Sequence, residues 1–254
     1  MNYLCLMDFD GTLTSNLIDL SSDSKQLLNN FLRDNKMCII SEEKFNTLLD
    51  WINNNGVKCD IASISSSIAK INDSYYYSSI SSITIMDIIN KFNDSIYTTF
   101  GEAKDFSFVT HYKDRLKFFY PKNFIIKDII DSDILTINIA ISNDKSDDLK
   151  KYLNESNLYF ESIGKDKNRE ILRIKKEIFN KLKIGNILKN IYKDYKVIAI
   201  TDSISDLDMF KISDITIAMK NGDNEIKKMA QYITEFDQEH NGAIKMLDYI
   251  CHLK

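Results

Sequence analysis

Two short apolar runs far apart in the chain, Tyr3–Met7 and Val197–Ile200, each stop abruptly at carboxylates: the first at Asp8-Phe9-Asp10-Gly11-Thr12, the second at Thr201-Asp202. An apolar run that does not alternate with polar residues must be buried on both faces, as in a parallel strand covered by helices. A helix fits between them. Ser41 can cap it, Phe45, Leu48, Leu49 and Ile52 follow helical spacing, and Gly56 stands where a left-handed C-terminal residue is wanted. Cys59–Ile64 then reads as a further strand. Strand, helix, strand in this order predicts right-handed crossovers and an α/β, doubly wound parallel sheet. The C-terminal part repeats the alternation, with helices over 184–192, 207–212, 225–230 and 243–251 and a strand over 215–219.

Residues 83–179 have a different pattern. Runs of β type at Phe106–Tyr112, Leu116–Tyr120, Leu135–Ile141 and Ile171–Ile174 mix with helical patterns at Met86–Phe92 and Ser146–Leu153. This predicts an α+β module, 83–179, inserted into a core made of 1–82 and 180–254. With seven glycines and one proline in 254 residues, no linker marks the joins.

The charge balance of 33 basic against 37 acidic residues argues against a nucleic-acid partner. No apolar stretch approaches the ~20 residues of a membrane span, and Asp8 interrupts the first run before it reaches signal-peptide length. No membrane partner is therefore expected, and a cytoplasmic location is the default. Cys5, Cys38, Cys59 and Cys251 lack the spacing of a zinc site or disulfide framework. Composition says nothing about oligomeric state.

Residues just past the strand ends of a doubly wound sheet converge on one crevice, so Asp8, Asp10, Asp202 and Asp206 are expected to share a site. Alone, each aspartate reads as a turn or helix cap. Together they repel one another unless a cation lies among them, and hard oxygen donors favour Mg²⁺.

The joint pattern is more specific. Asp8-Phe9-Asp10-Gly11-Thr12 and Val197 through Asp202-Ser203-Ile204-Ser205-Asp206, followed by Ala218–Gly222, Ile226–Thr234 and Glu239–Gly242, resemble the haloacid dehalogenase (HAD) superfamily and its Cof-type sugar-phosphatase branch. That branch carries a class IIB α+β cap where 83–179 falls. The resemblance implies a Rossmann-like core and a Mg²⁺-dependent phosphohydrolase acting on a small phosphorylated metabolite such as a sugar phosphate. The alternatives are a phosphomutase using the same aspartyl-phosphate and a non-catalytic phospho-ligand binder.

Residue by residue, the resemblance implies Asp8 as nucleophile and Asp10 as general acid and base, with Thr12 helping to hold the loop at the phosphate. Mg²⁺ would be held by Asp8, the Asp10 backbone carbonyl and Asp202, with Asp206 in support. Ser63 matches the motif-two hydroxyl, although Ile64-Ser65 follow it in place of the family's usual Gly-Arg. The phosphate lysine is Lys181 or Lys183, with the spacing favouring Lys181. Thr201 and Ser205 stand where the family has Gly and Asn. The segment 13–40 is longer than expected and can hold an added helix over Ser24–Leu32. His111 and Arg115 in the cap, and Asn221 in the tail motif, are candidate substrate contacts, although solvated strand faces explain the cap residues equally well.

Overall fold

The computed structural model describes residues 2–104, 106–112, 124–126 and 133–252. The chain divides into two compact units, Met1–Tyr76 with Asn180–Lys254, and Tyr77–Phe179.

The first unit opens with β1 (Tyr3–Met7), α1 (Ser22–Asp34), β2 (Lys36–Ser41), α2 (Phe45–Asn55), β3 (Asp60–Ser63), β4 (Ile68–Ile71) and β5 (Ser74–Tyr77). Leu4 through Met7 are fully buried, as an uninterrupted apolar strand requires. Ser21 caps α1, its hydroxyl accepting from Ser24 N at 3.2 Å. The helix expected over Ser24–Leu32 is therefore present and slightly longer. The strand after it, β2, was not expected: the sequence reading treats Ser41 as a helix cap, whereas Ser41 is the last residue of a strand. Helix α2 begins at Phe45 with Lys44 at its N-cap, and the Phe45 N–H finds the Ser66 hydroxyl at 3.1 Å. It ends as expected at Gly56, with φ of 64°.

The second unit contains α3 (Ser82–Phe92), β6 (Ile96–Ala103), β7 (Ser107–Tyr112), β8 (Phe124–Ile126), β9 (Ile134–Ser142), α4 (Asn143–Glu155), β10 (Tyr159–Lys165) and β11 (Arg169–Lys175). Its six-stranded sheet runs β10-β11-β9-β6-β7-β8 and is antiparallel apart from the β7–β8 pair. Ile85, Ile88, Ile137, Ile139, Leu149 and Leu172 pack into its core. The strands β6 and β10 were not expected, and the expected run Leu116–Tyr120 lies outside the described residues.

The first unit resumes with α5 (Lys181–Ile191), β12 (Lys196–Thr201), α6 (Leu207–Lys211), β13 (Ile215–Ala218), α7 (Asn224–Met229), β14 (Tyr232–Ile233) and α8 (Gly242–His252). Its sheet has the order β14-β13-β12-β1-β2-β3-β4-β5, parallel from β14 to β3, with β4 antiparallel to β3. This is the expected doubly wound α/β core with an α+β insertion. Strands β1 and β12 are neighbours, so the carboxylates at their ends emerge side by side. Among the described residues, no helix is long and apolar enough to cross a membrane.

Candidate active site

The parallel register pairs Met7 with Ile200, and the Asp8 N–H continues the ladder to Ile200 O at 3.0 Å. Phe9 turns into the core, edge-on to Trp51 with ring centroids 5.0 Å apart, which leaves Asp8 and Asp10 on the opposite side. These two line one cavity of about 380 Å³ together with Ser41, Lys181, Asp202 and Asp206.

Two glycines make room for Asp202. Gly11 has φ of 77°, and a Cβ there would lie 2.3 Å from Asp202 Oδ2. A Cβ on Gly222 would lie 2.7 Å from the Asp202 carbonyl oxygen. Thr12 donates to Asp202 Oδ1 at 3.2 Å, and Asn221 Nδ2 donates to the Gly11 carbonyl at 2.7 Å. In this structure Thr12 and Asn221 therefore hold the loops that carry the aspartates.

Lys181 begins α5 behind the cap formed by Asn180, whose Oδ1 accepts from Lys183 N at 2.9 Å. The Lys181 ammonium lies 2.6 Å from Asp8 Oδ1 and 2.6 Å from Asp206 Oδ1, with Asp8 only 7% and Lys181 only 9% exposed. Lys183 does not line the cavity. Asp206 is held further by Thr201 Oγ1, which donates to Oδ2 at 2.6 Å, and by Ser205 Oγ at 3.2 Å from Oδ1. The two residues that depart from the family pattern are thus both hydroxyl donors to Asp206.

Burial pushes the Asp8 carboxyl up; Lys181 pulls it back, and Asp206 and Asp202 push it up again, leaving it raised. Desolvation raises Asp10, reinforced by Glu43 and Asp202. Burial also raises Asp202, against the hydrogen bond from Thr12. For Lys181, burial works against the charge, but Asp8 and Asp206 outweigh it and raise its pKa. One ammonium thus answers four carboxylates. An all-oxygen donor set with surplus negative charge fits a hard divalent cation. Among the described residues, however, no three or more His, Cys, Asp or Glu side chains are grouped to hold a metal unaided.

Ser63 is not brought to the cavity. Its buried hydroxyl donates to the Glu43 carbonyl at 2.5 Å and accepts from Ser66 N at 3.1 Å. The reason is topological: β2 lies between β1 and β3, so the hydroxyl at the end of the strand beside β1 is Ser41, which does line the cavity. A signal for it was present, since Met37-Cys38-Ile39-Ile40-Ser41 repeats the pattern of an apolar run ending in a polar residue. The backbone of His111 lies in β7 opposite Thr99, and Arg115 lies outside the described residues.

A family model described as haloacid dehalogenase-like hydrolase matches residues 5–247. The structure is similar to that of TM0651 from Thermotoga maritima, with a TM-score of 0.79 at 15% identity over 98% of this chain and 97% of that one. It is also similar to a haloacid dehalogenase-like hydrolase from Bacteroides thetaiotaomicron, with a TM-score of 0.72 at 16% identity over 98% and 100% of the two chains. BT1666 from the same organism, described among phosphatases of the HAD superfamily, gives a TM-score of 0.70 at 17% identity over 99% and 96%. No curated protein sequence matches this chain significantly.

Proposed function

Because the chain belongs to the haloacid dehalogenase-like hydrolases, we propose that it is a Mg²⁺-dependent phosphatase that cleaves a small phosphomonoester, such as a sugar phosphate, through an aspartyl-phosphate on Asp8. The observation that carries this reading is the Lys181 ammonium held 2.6 Å from both Asp8 and Asp206 at the end of β1. It joins a buried carboxylate nucleophile to a fixed positive charge where a phosphoryl group would sit.

Asp8 Oδ1 is taken by Lys181, and among the described residues Oδ2 has no protein donor. Oδ2 attacks phosphorus as the bond to the leaving oxygen breaks. Asp10, its carboxyl raised and exposed to the cavity, gives that oxygen its proton. Water then attacks the phosphorus, Asp10 takes its proton, and Asp8 is released with inorganic phosphate. Lys181 and the Ser41 hydroxyl hold phosphoryl oxygens throughout.

Asp8, Asp202 and the Asp10 carbonyl would hold Mg²⁺, which when bound offsets phosphoryl charge. Asp206, engaged on both oxygens, supports the site by fixing Lys181. Two carboxylates and a carbonyl suffice because Mg²⁺ usually keeps several waters and takes substrate oxygens.

The direct test is phosphate release from p-nitrophenyl phosphate with Mg²⁺. Turnover by the wild type and none by a folded Asp8→Asn variant is the expected result; unchanged turnover by the variant removes Asp8 from the chemistry.

A further inference from the structure

The turn after Ser41 places Glu42 on the cavity wall and Glu43 close enough to Asp10 to push its carboxyl up. Three hydrogen bonds fix this turn. Ser63 Oγ and Ser65 Oγ donate to the Glu43 carbonyl at 2.5 and 3.4 Å, and the Glu43 N–H donates to Ser41 Oγ at 2.9 Å. The two glutamates therefore project from anchored backbone.

Positive charge on the same wall is scarce. Among the described residues that line the cavity, Lys181 is the sole basic side chain, and its ammonium is shared by Asp8 and Asp206. Asp208, also on the wall, is answered from outside by Lys211 at 2.7 Å. A phosphoryl group can use Lys181 and a divalent cation. The rest of a substrate, extending from the leaving oxygen beside Asp10, meets Glu42 and Glu43.

We infer that the Glu42–Glu43 turn selects the leaving group by charge, so that the preferred substrates are phosphomonoesters whose leaving group carries a protonated amine, such as amino-sugar or amino-alcohol phosphates, while leaving groups with a second anion are rejected. This rests on the phosphomonoester reading above. One unit charge several ångströms from a carboxylate at a partly wet protein surface changes affinity by about tenfold in either direction, and the effect weakens as salt screens it.

The experiment measures how well glucosamine 6-phosphate, glucose 6-phosphate and 6-phosphogluconate compete with p-nitrophenyl phosphate for the full-length protein with Mg²⁺, a readout that does not require each ester to be turned over. The amine is expected to compete about tenfold better than the neutral sugar and the acid about tenfold worse. Both ratios should shrink to within about twofold in Glu42→Gln/Glu43→Gln, and should shrink in the wild type as salt rises from about 0.02 to 0.5 M. Equal competition by all three, better competition by the acid, or discrimination that survives the double substitution overturns the inference and leaves the phosphatase reading standing. Absence of p-nitrophenyl phosphate hydrolysis overturns both.

Discussion

Thr201 Oγ1 donates a 2.6 Å hydrogen bond to Asp206 Oδ2, and both side chains are almost completely removed from water. The bond holds the carboxylate that, through its other oxygen, fixes the Lys181 ammonium. Thr201→Val keeps the shape and removes the donor. It should lower kcat about tenfold with little change in KM, cost about 1–3 kcal/mol of stability, and be largely rescued by Thr201→Ser. A loss of thermal stability with kcat unchanged would reduce Thr201 to a purely structural role.

The two strand-end serines should separate cleanly. Ser41→Ala is expected to reduce phosphate release at least about tenfold, as removal of an oxyanion donor does elsewhere, with the thermal midpoint nearly unchanged. Ser63→Ala removes the hydroxyl that pins the Glu43 carbonyl and should cost about 1–2 kcal/mol of stability, or a few degrees of midpoint for a chain of this size, with a smaller effect on rate. The reverse outcome would return the phosphate role to Ser63.

Gly11→Ala should be costly on two counts. The backbone is left-handed at φ of 77°, and the new Cβ would meet Asp202 Oδ2 at 2.3 Å. A stability loss of about 1–3 kcal/mol should accompany a rise of at least several-fold in the Mg²⁺ concentration needed for half-maximal rate. A metal titration with normal half-saturation would separate Asp202 from the cation.

In the inserted unit, burial pushes the Glu170 carboxyl up, but hydrogen bonds from Ser146 Oγ at 2.6 Å and Lys150 Nζ at 2.9 Å outweigh it and hold the pKa at about 2. A folded-state pKa below the unfolded value of about 4.3 gives stability that is present above that value and is lost as pH falls towards 2. Glu170→Gln should therefore cost about 2 kcal/mol at pH 7, a gap to the wild type that narrows between about pH 5 and pH 2. Denaturant melts across that range check it; a gap independent of pH would mean that the charge is not what stabilises this contact.

Removal of metal should abolish turnover, and added Mg²⁺ should restore it. At one hundred times its dissociation constant, a ligand that binds only the folded state adds about 2.7 kcal/mol of stability. Thermal melts with and without Mg²⁺ thus test the donor set independently of rate, and an unchanged midpoint would count against it.

The strands that carry the aspartates were legible because β1 and β12 are apolar without interruption and end at charges. Helix α2 was legible at its end, where Gly56 is left-handed, but not at its start. Strand β2 was missed for a local reason. A glycine or proline usually separates a helix from the strand after it, and here Asn35 does that work with its side chain. Asn35 Nδ2 donates to the Phe31 carbonyl at 2.9 Å, closing α1, and its Oδ1 accepts from Tyr3 N at 2.8 Å, tying the join to β1. With β2 unrecognised, the motif-two position was assigned one strand too far out, to Ser63. The choice between Lys181 and Lys183 could be narrowed by spacing, but only the packing of α5 shows which ammonium reaches Asp8.

The two glycines that touch Asp202 come from opposite ends of the chain, and one of them faces its carboxylate while the other faces its backbone. They set a size limit on position 202. Glutamate carries the same charge, but its extra methylene finds no slack beside Gly11 and could be accommodated only by advancing the carboxylate into the cavity. What separates aspartate from glutamate at this position is therefore reach rather than charge, and the limit is imposed by two hydrogens standing where side chains would otherwise be.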